Sequence, residues 1–191
     1  MTNSRDNHVL GRYIVVYGAT GAGKTTLSRR LAAALGLTAI EMDALMHRPN
    51  WEPTPPDEFR EKVRTALAAA PDGWVCDGNY SRVRDITLEH ADTVIWLHLP
   101  WRISFGRLLV RTVSRAWSRE LLWGTNRESW RQSFASRNSI LWWSISHHRA
   151  HERSVRATLA GLPPHVRVHE LHTPREVEAL LATATPVARA G

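Results

Sequence analysis

A glycine-rich segment near the amino terminus carries the residues best suited to chemistry. It consists of Gly18, Ala19, Thr20, Gly21, Ala22, Gly23, Lys24, Thr25 and Thr26. An apolar run precedes it and a helical pattern follows it, which is the order in which a GxxxxGK[ST] sequence forms a phosphate-binding loop. The glycines let backbone N–H groups point inward, and the positive end of the following helix dipole faces the same concavity. The segment is therefore predicted to bind an anion.

Lys24 and Thr25 predict that this anion is a nucleoside triphosphate bound with magnesium. The Lys24 amine can reach the β- and γ-phosphates, and the Thr25 hydroxyl can ligate Mg²⁺. An accidental glycine-rich turn is disfavoured, because the motif, the strand before it and the helix after it all indicate a phosphate-binding loop. The chain contains no Asn-Lys-x-Asp stretch for guanine. The predicted cofactors are therefore ATP and Mg²⁺.

Two aspartates follow predicted strands, where ligands bind in open α/β sheets. Asp43 follows a strand at 37–41 and could act as a general base toward an acceptor hydroxyl, or orient the acceptor and Mg²⁺. A helix N-cap is the structural alternative for Asp43. Asp77 follows an apolar run at 74–76 and is a candidate for the magnesium hydration shell, although it could also cap a turn with Gly78.

Arginines are concentrated in one region of a chain whose formal net charge is +7. Eleven arginines lie between positions 102 and 156, against three glutamates and no lysine. Arg107, Arg111 and Arg115 are spaced by four on one predicted helix, and an arginine supplied in cis can accelerate phosphoryl transfer about 10³-fold or more. They are candidate catalytic residues, although solvated surface arginines are the simpler explanation of such a stripe.

The elements around these residues predict one α/β domain over residues 1–191. Five strands at 13–17, 37–41, 74–76, 94–99 and 166–171 alternate with helices, which indicates a three-layer α/β/α fold with a five-stranded parallel sheet. Helices are predicted at 56–70, 102–117, 126–136, 138–161 and 175–181. The arginine-rich stretch at about 102–137 is predicted to form a helical lid.

Composition predicts a cytoplasmic protein without a membrane partner. No stretch approaches the ~20 apolar residues of a membrane span, and residues 1–10 are polar and lack a signal-peptide core. The lone Cys76 lies in an apolar strand and excludes an internal disulfide. His147 and His151 have the i, i+4 spacing of a zinc pair, but a catalytic Glu of the metalloprotease pattern is missing between them, so a metal site is disfavoured.

The chain resembles the small P-loop kinases of the adenylate kinase and shikimate kinase type, over most of residues 12–181. Asp77, Gly78 and Arg82 resemble a stretch in which an arginine grips the acceptor phosphate, although here the arginine comes one residue later than in that family. The resemblance implies strand order 2-3-1-4-5. It also implies that Arg107 and Arg111 stack on adenine and stabilise the transferring phosphoryl group, and that Thr173 and Pro174 border the adenine ring.

The sequence is more similar still to a bacterial group known as DNA topology-modulation proteins, whose chains are P-loop kinase-like. The stretches that carry this similarity are Asp43-Ala44-Leu45 with Trp51, Asp77 to Arg82, Thr93 to Leu97, and Asn126 to Ser129. The group's name implies an effect on DNA. No nucleic-acid-binding motif accompanies it in this chain, so the resemblance is used for fold and nucleotide binding.

Two functions follow from these residues. The first is an ATP-dependent phosphotransferase that moves the γ-phosphoryl group of Mg-ATP to a small-molecule hydroxyl, or to a nucleotide or sugar phosphate. Asp43, Asp77 and Arg82 would contact its substrate, and Thr25 and Asp77 its Mg²⁺, partly through water. The alternative is a nucleotide-gated DNA- or RNA-binding ATPase. The partners are a nucleotide and a small acceptor, with nucleic acid less favoured, and the chain is a monomer or a homodimer.

Overall fold

A five-stranded parallel sheet forms the centre of the protein. The structure, a computed structural model, describes residues 10–118, 121–122, 126–127 and 140–184. The strands are β1 (Tyr13–Gly18), β2 (Thr38–Glu41), β3 (Trp74–Asp77), β4 (Thr93–Leu97) and β5 (Arg167–Leu171). They lie in the order β2-β3-β1-β4-β5, and all four strand pairs are parallel. The predicted fold class and strand order are confirmed.

Helices connect and cover the strands. They are α1 (Lys24–Leu35), α2 (Met42–Met46), α3 (Pro56–Ala68), α4 (Arg84–Glu89), α5 (Trp101–Ser118), α6 (Ile140–Ala160) and α7 (Pro174–Thr183). Short 3₁₀ turns lie at Pro49–Trp51 and Ser81–Val83. α1 ends at Gly36, whose φ of 70° is the left-handed conformation that glycine adopts at low cost. In the described part of the chain, no helix has both the length and the apolar character needed to cross a membrane.

The sheet separates two apolar cores, as a three-layer fold requires. Alternate residues of β1 point to opposite faces, so Val15 and Tyr17 join one core while Ile14 and Val16 join the other. The first core includes side chains of α3, α4 and α6, and the second those of α1 and α7. Burial on both faces explains why β1 and β4 are continuous apolar runs rather than alternating ones.

Three local features differ from the predicted elements. The chain enters α2 directly at Met42, so Asp43 lies in the first helical turn and the N-cap position belongs to Glu41. α4 was not predicted, because six residues give too short a period to recognise. Asn126–Arg127 is a short strand that pairs antiparallel with Leu121–Leu122, so the predicted helix at 126–136 is wrong at its start.

The structure describes only part of the predicted lid. Its first half is α5, which begins one residue earlier than expected and extends to Ser118. Residues 119–120, 123–125 and 128–139 lie outside the described residues. The side chains of Arg115 and Arg127 lie outside them as well.

Strand register brings the candidate site residues to one edge of the sheet. Val16 of β1 pairs with Asp77 of β3, and Asp77 pairs in turn with Glu41 of β2. The glycine-rich loop after β1, Asp77 and the start of α2 therefore meet at the carboxyl ends of three adjacent strands. This edge is where open α/β sheets bind ligands.

Candidate functional site

The glycine-rich loop after β1 has a backbone that glycine alone adopts without strain. Gly21 and Gly23 have φ values of 83° and 98°, in the left-handed region. At Gly21 the space is closed as well, because a Cβ atom there would lie 2.2 Å from the Ser104 carbonyl oxygen of α5. The glycine therefore allows α5 to lie directly against the loop.

Lys24 lies within this loop and contacts its backbone. Its Nζ atom donates to the carbonyl oxygens of Gly18 and Ala19, at 2.9 and 3.2 Å. Burial lowers the pKa of Lys24, whereas the negative charges of Asp43 and Asp77 oppose this decrease. The Lys24 amine is thus held at the loop by neutral acceptors and has two carboxylates in its electrostatic surroundings.

Thr25 and Asp77 form the predicted magnesium pair. The Thr25 hydroxyl donates to Asp77 Oδ2, and the other carboxylate oxygen accepts from the backbone N–H of Met42 at 3.2 Å. Asp77 is only 4% exposed. Burial raises the pKa of Asp77, and the hydrogen bond from Thr25 opposes this rise. A hydroxyl and a carboxylate side by side are hard oxygen ligands of the kind Mg²⁺ prefers, so these two residues fit the predicted ion.

Asp43 lies on the solvent side of the same edge. Its side chain is exposed in the first turn of α2, and Oδ1 accepts a 2.6 Å hydrogen bond from the Tyr80 hydroxyl. Burial, followed by the charge of Asp43, raises the pKa of Tyr80, so the phenol stays protonated and remains a donor. The Tyr80 hydroxyl therefore holds one oxygen of a carboxylate that is exposed to solvent.

The predicted arginines have different positions. Arg107 Nη1 donates to the Ala22 carbonyl of the glycine-rich loop at 3.4 Å, and the positive charge of Arg111 contributes to the lowered pKa of Lys24. Arg107 therefore contacts the loop, and Arg111 acts on Lys24 through its charge, while the catalytic role of both residues stays a prediction. Arg82 is exposed in the Ser81–Val83 turn, where its backbone carbonyl accepts from Arg60 Nη1 at 2.5 Å. The Arg115 side chain lies outside the described residues.

Thr173 and Pro174 form the start of α7. The Thr173 hydroxyl accepts from the Glu176 N–H at 3.2 Å, and a carboxylate oxygen of Glu176 accepts from the His172 N–H at 2.7 Å. Thr173 is thus the N-cap of α7, Glu176 accepts from the residue before it, and Pro174 occupies the first helical turn. The capping role accounts for the two residues locally, and contact with adenine stays a prediction.

Asn79 and His151 belong to the site although the sequence interpretation did not select them. The Asn79 amide group is hydrogen-bonded to Gly18, and Nε2 of His151 on α6 lies within hydrogen-bond distance of both residues. Asn79 could have been selected from the sequence, because it follows β3 by two residues. His151 could not have been selected, because its contact with Gly18 depends on how α6 packs. The His147 ring contacts Ser146 instead, so the two histidines of the disfavoured zinc pair have different partners.

Comparison with known proteins gives the following similarities. No protein-family model matches the chain. A shikimate kinase from Paramagnetospirillum magneticum is 34% identical over 119 residues, which cover 56% of this chain and 59% of the relative. A shikimate kinase from Rhodococcus erythropolis is 38% identical over 98 residues, which cover 44% of this chain and 57% of the relative. The matched segment thus spans less than two thirds of the length of each relative.

A solved structure is similar over nearly the whole chain. The shikimate kinase from Acinetobacter baumannii, crystallised in complex with shikimate, matches 94% of this chain and 93% of its own with a TM-score of 0.50 and 18% identity. At that identity the likeness establishes the fold alone, which is the P-loop kinase fold. The relatives and the fold support the predicted resemblance to small P-loop kinases. The finer resemblance to DNA topology-modulation proteins stays a prediction.

Proposed function

We propose that this chain is an ATP-dependent phosphotransferase that moves the γ-phosphoryl group of Mg-ATP to a hydroxyl group of a small polar molecule. One observation carries the proposal: Lys24 and Thr25 of the glycine-rich loop share one edge of the sheet with two carboxylates, Asp77 and Asp43. The first carboxylate contacts Thr25, and both act electrostatically on Lys24. The two shikimate kinases among its sequence relatives support the same reaction class.

The loop residues bind and neutralise the phosphates in this reaction. The backbone N–H groups after Gly18 and the Lys24 amine receive the β- and γ-phosphates, and Lys24 exchanges its carbonyl partners for phosphate oxygens. Thr25 and Asp77 hold the magnesium ion, which supplies charge neutralisation when it is bound. Arg107 and Arg111 add positive charge above the loop. Because the transition state is loose, positioning and charge neutralisation supply most of the acceleration.

Asp43 acts on the acceptor. Its carboxylate accepts the hydrogen bond, and finally the proton, of the attacking hydroxyl group, while the Tyr80 hydroxyl fixes its orientation. The acceptor oxygen forms a bond to phosphorus as the bond to the leaving ADP oxygen breaks. A hydroxyl acceptor is favoured over a phosphate acceptor because the carboxylate of Asp43 can accept the proton of a hydroxyl group, whereas Arg82, the candidate phosphate-binding residue, is exposed in the Ser81–Val83 turn.

The test is an ADP-release assay across acceptor classes. Shikimate, simple sugars, sugar acids, amino-alcohol antibiotics, nucleoside monophosphates and oligonucleotides are each added with Mg-ATP, and Lys24→Ala is the blank. We expect at least one alcohol to stimulate ADP release in the wild-type chain, and this stimulation to be lost in the blank.

Two other outcomes would contradict the proposal. Stimulation by nucleoside monophosphates alone would assign the acceptor site to a phosphate instead of a hydroxyl group. Stimulation by oligonucleotides alone would favour the nucleic-acid-dependent ATPase.

A further inference from the structure

We propose that His151 is a positioning residue of the nucleotide site: it holds Asn79 against the Gly18 peptide while neutral, and takes up a proton when a nucleotide polyphosphate binds the loop. This inference rests on the proposed function, because it requires that ATP is the ligand of the glycine-rich loop. It assigns a role to α6, the helix that follows the predicted lid.

Asn79 and Gly18 form a reciprocal pair. The Gly18 N–H donates to Asn79 Oδ1 at 3.3 Å, and Asn79 Nδ2 donates to the Gly18 carbonyl at 2.6 Å. Because the amide nitrogen has two hydrogens, its second one is free for the His151 ring, whose Nε2 lies 2.7 Å away. The pair fixes the backbone of Gly18, the first residue of the loop, and His151 provides the second contact of the Asn79 amide nitrogen.

The contact between Asn79 Nδ2 and His151 Nε2 fits a neutral ring with an unprotonated Nε2. Only a lone pair on Nε2 can accept the hydrogen bond from Asn79, whereas a protonated Nε2 would face another N–H group. The same Nε2 lies 3.2 Å from the Gly18 carbonyl oxygen, which becomes its acceptor once the nitrogen carries a proton. Protonation thus exchanges an Asn79 contact for a Gly18 contact.

The surroundings keep the ring neutral when no nucleotide is bound. Burial lowers the pKa of His151 to about 4, and the positive charge of Lys24 on α1 is the next contribution. His148 on α6 and Arg84 on α4 act in the same direction, while Glu152 on α6 opposes them. Lys24, His148 and Arg84 therefore disfavour a proton on this ring, and among these described neighbours Glu152 favours one.

A bound polyphosphate reverses this balance. The Gly18 carbonyl also accepts from Lys24 Nζ, so the ring and the amine that receives the phosphates share one loop residue. A single negative charge ~6 Å away, at an effective dielectric constant of ~20, raises the proton affinity of an imidazole about a hundredfold. Magnesium offsets part of the phosphate charge, but Mg-ATP stays negative overall, so we expect the ring to gain a proton near pH 6.

Calorimetry in two buffers measures this proton directly. Mg-ATP is titrated into the full chain at pH 6 in buffers of different ionisation enthalpy, and the dependence of the heat on the buffer gives the protons taken up. We expect the wild-type chain to take up about half a proton or more per nucleotide beyond His151→Gln. His147→Gln is the matched control on the same helix and is expected to behave as the wild type.

A kinetic comparison supplies a second readout. His151→Ala is expected to lower kcat/KM for ATP about tenfold, and His151→Gln to restore most of this loss, because a glutamine oxygen still accepts from Asn79. His151→Asn replaces the glutamine variant should the latter fail to fold.

The failure of this inference is distinguishable from the failure of the proposed function. Equal proton uptake by the wild type and His151→Gln, with Mg-ATP binding intact in both, overturns the role of His151 and leaves the kinase proposal standing. An absence of Mg-ATP binding by every protein, including the wild type, overturns the proposed function itself.

Discussion

In the proposed acceptor site, Asp43 is the reactive group and the Tyr80 hydroxyl orients it. Asp43→Asn keeps the shape but removes the proton acceptor, so we expect kcat to fall about 10²- to 10³-fold. Tyr80→Phe keeps the carboxylate and removes only its 2.6 Å hydrogen bond, so we expect a loss within about tenfold. Steady-state kinetics with a stimulating acceptor measures both variants, and KM for ATP should stay within about threefold.

A wild-type kcat in Asp43→Asn would contradict this placement of the acceptor. The same result with a raised acceptor KM would mean that the carboxylate binds the acceptor without taking its proton.

Asp77 is expected to serve function at the expense of stability. Burial raises its pKa, so the folded chain binds this proton more tightly than the unfolded chain. Stability therefore falls as the pH rises from the ordinary aspartate pKa of about 3.9 to the raised value, and the loss persists at neutral pH. Asp77→Asn has no such cost. We expect it to raise the melting temperature of the magnesium-free chain at pH 7 while weakening magnesium-dependent ATP binding.

Thermal melts of Asp77→Asn, with exposed Asp72→Asn as the control, measure the stability effect. A melting temperature below that of the wild type would show that the hydrogen bonds from Thr25 and Met42 outweigh the cost of burying the charge.

Among single residues, the sequence predicted those site residues that belong to a motif or follow the end of a strand. The Thr25–Asp77 contact follows from a motif and a strand end, and so does the presence of Asp43 at the same edge. His151 could not be found this way, because it reaches Gly18 across 133 positions of the chain, and no local period encodes that approach. Its selection needed the packing of α6, which only tertiary structure supplies.

At the scale of elements, Arg84 connects α4 to α6. Its Nη1 donates to Thr158 Oγ1 at 2.7 Å and its Nη2 to Ser154 Oγ at 3.3 Å, while the guanidinium carbon lies 5.9 Å from the centre of the Tyr17 ring. α6 in turn carries His151 to the loop. Arg84 therefore holds the helix that completes the nucleotide site.

We expect Arg84→Met to lower the free energy of unfolding by about 1–3 kcal/mol and to increase hydrogen exchange in α6. Denaturant unfolding and exchange mass spectrometry measure these effects. Arg30→Met removes a solvent-exposed ion pair with Glu178 and serves as the control, with no measurable change expected. Equal exchange in α6 of Arg84→Met and the wild type would contradict the role given to Arg84.

The sequence predicted long elements better than short ones. β1 and β4 are continuous apolar runs, and α5 has a sustained helical period, so their existence and type were predictable. α4 has six residues, and the Asn126–Arg127 strand has two. Such elements are stabilised by tertiary contacts rather than by propensity, so their sequences resemble turns or continuations of neighbouring helices.

At the scale of the whole molecule, the positive charge admits a DNA-binding alternative. A DNA-binding ATPase loses affinity for duplex with a log–log salt slope of about −0.9 per phosphate contact, whereas a small-molecule kinase has no such site. We expect the chain to retain no duplex at about 0.15 M salt, with or without Mg-ATP. A filter-binding salt titration measures this. Salt-sensitive retention that depends on Mg-ATP would favour the nucleotide-gated binder.

Calorimetry shows directly whether the loop from Gly18 to Thr26 binds ATP with magnesium. Mg-ATP is titrated into the wild-type chain with and without excess chelator, and into Lys24→Ala. We expect saturable binding that requires magnesium and is weakened about a hundredfold or more in Lys24→Ala. An absence of binding by the wild-type chain, or equal binding by the wild type and Lys24→Ala, would contradict it.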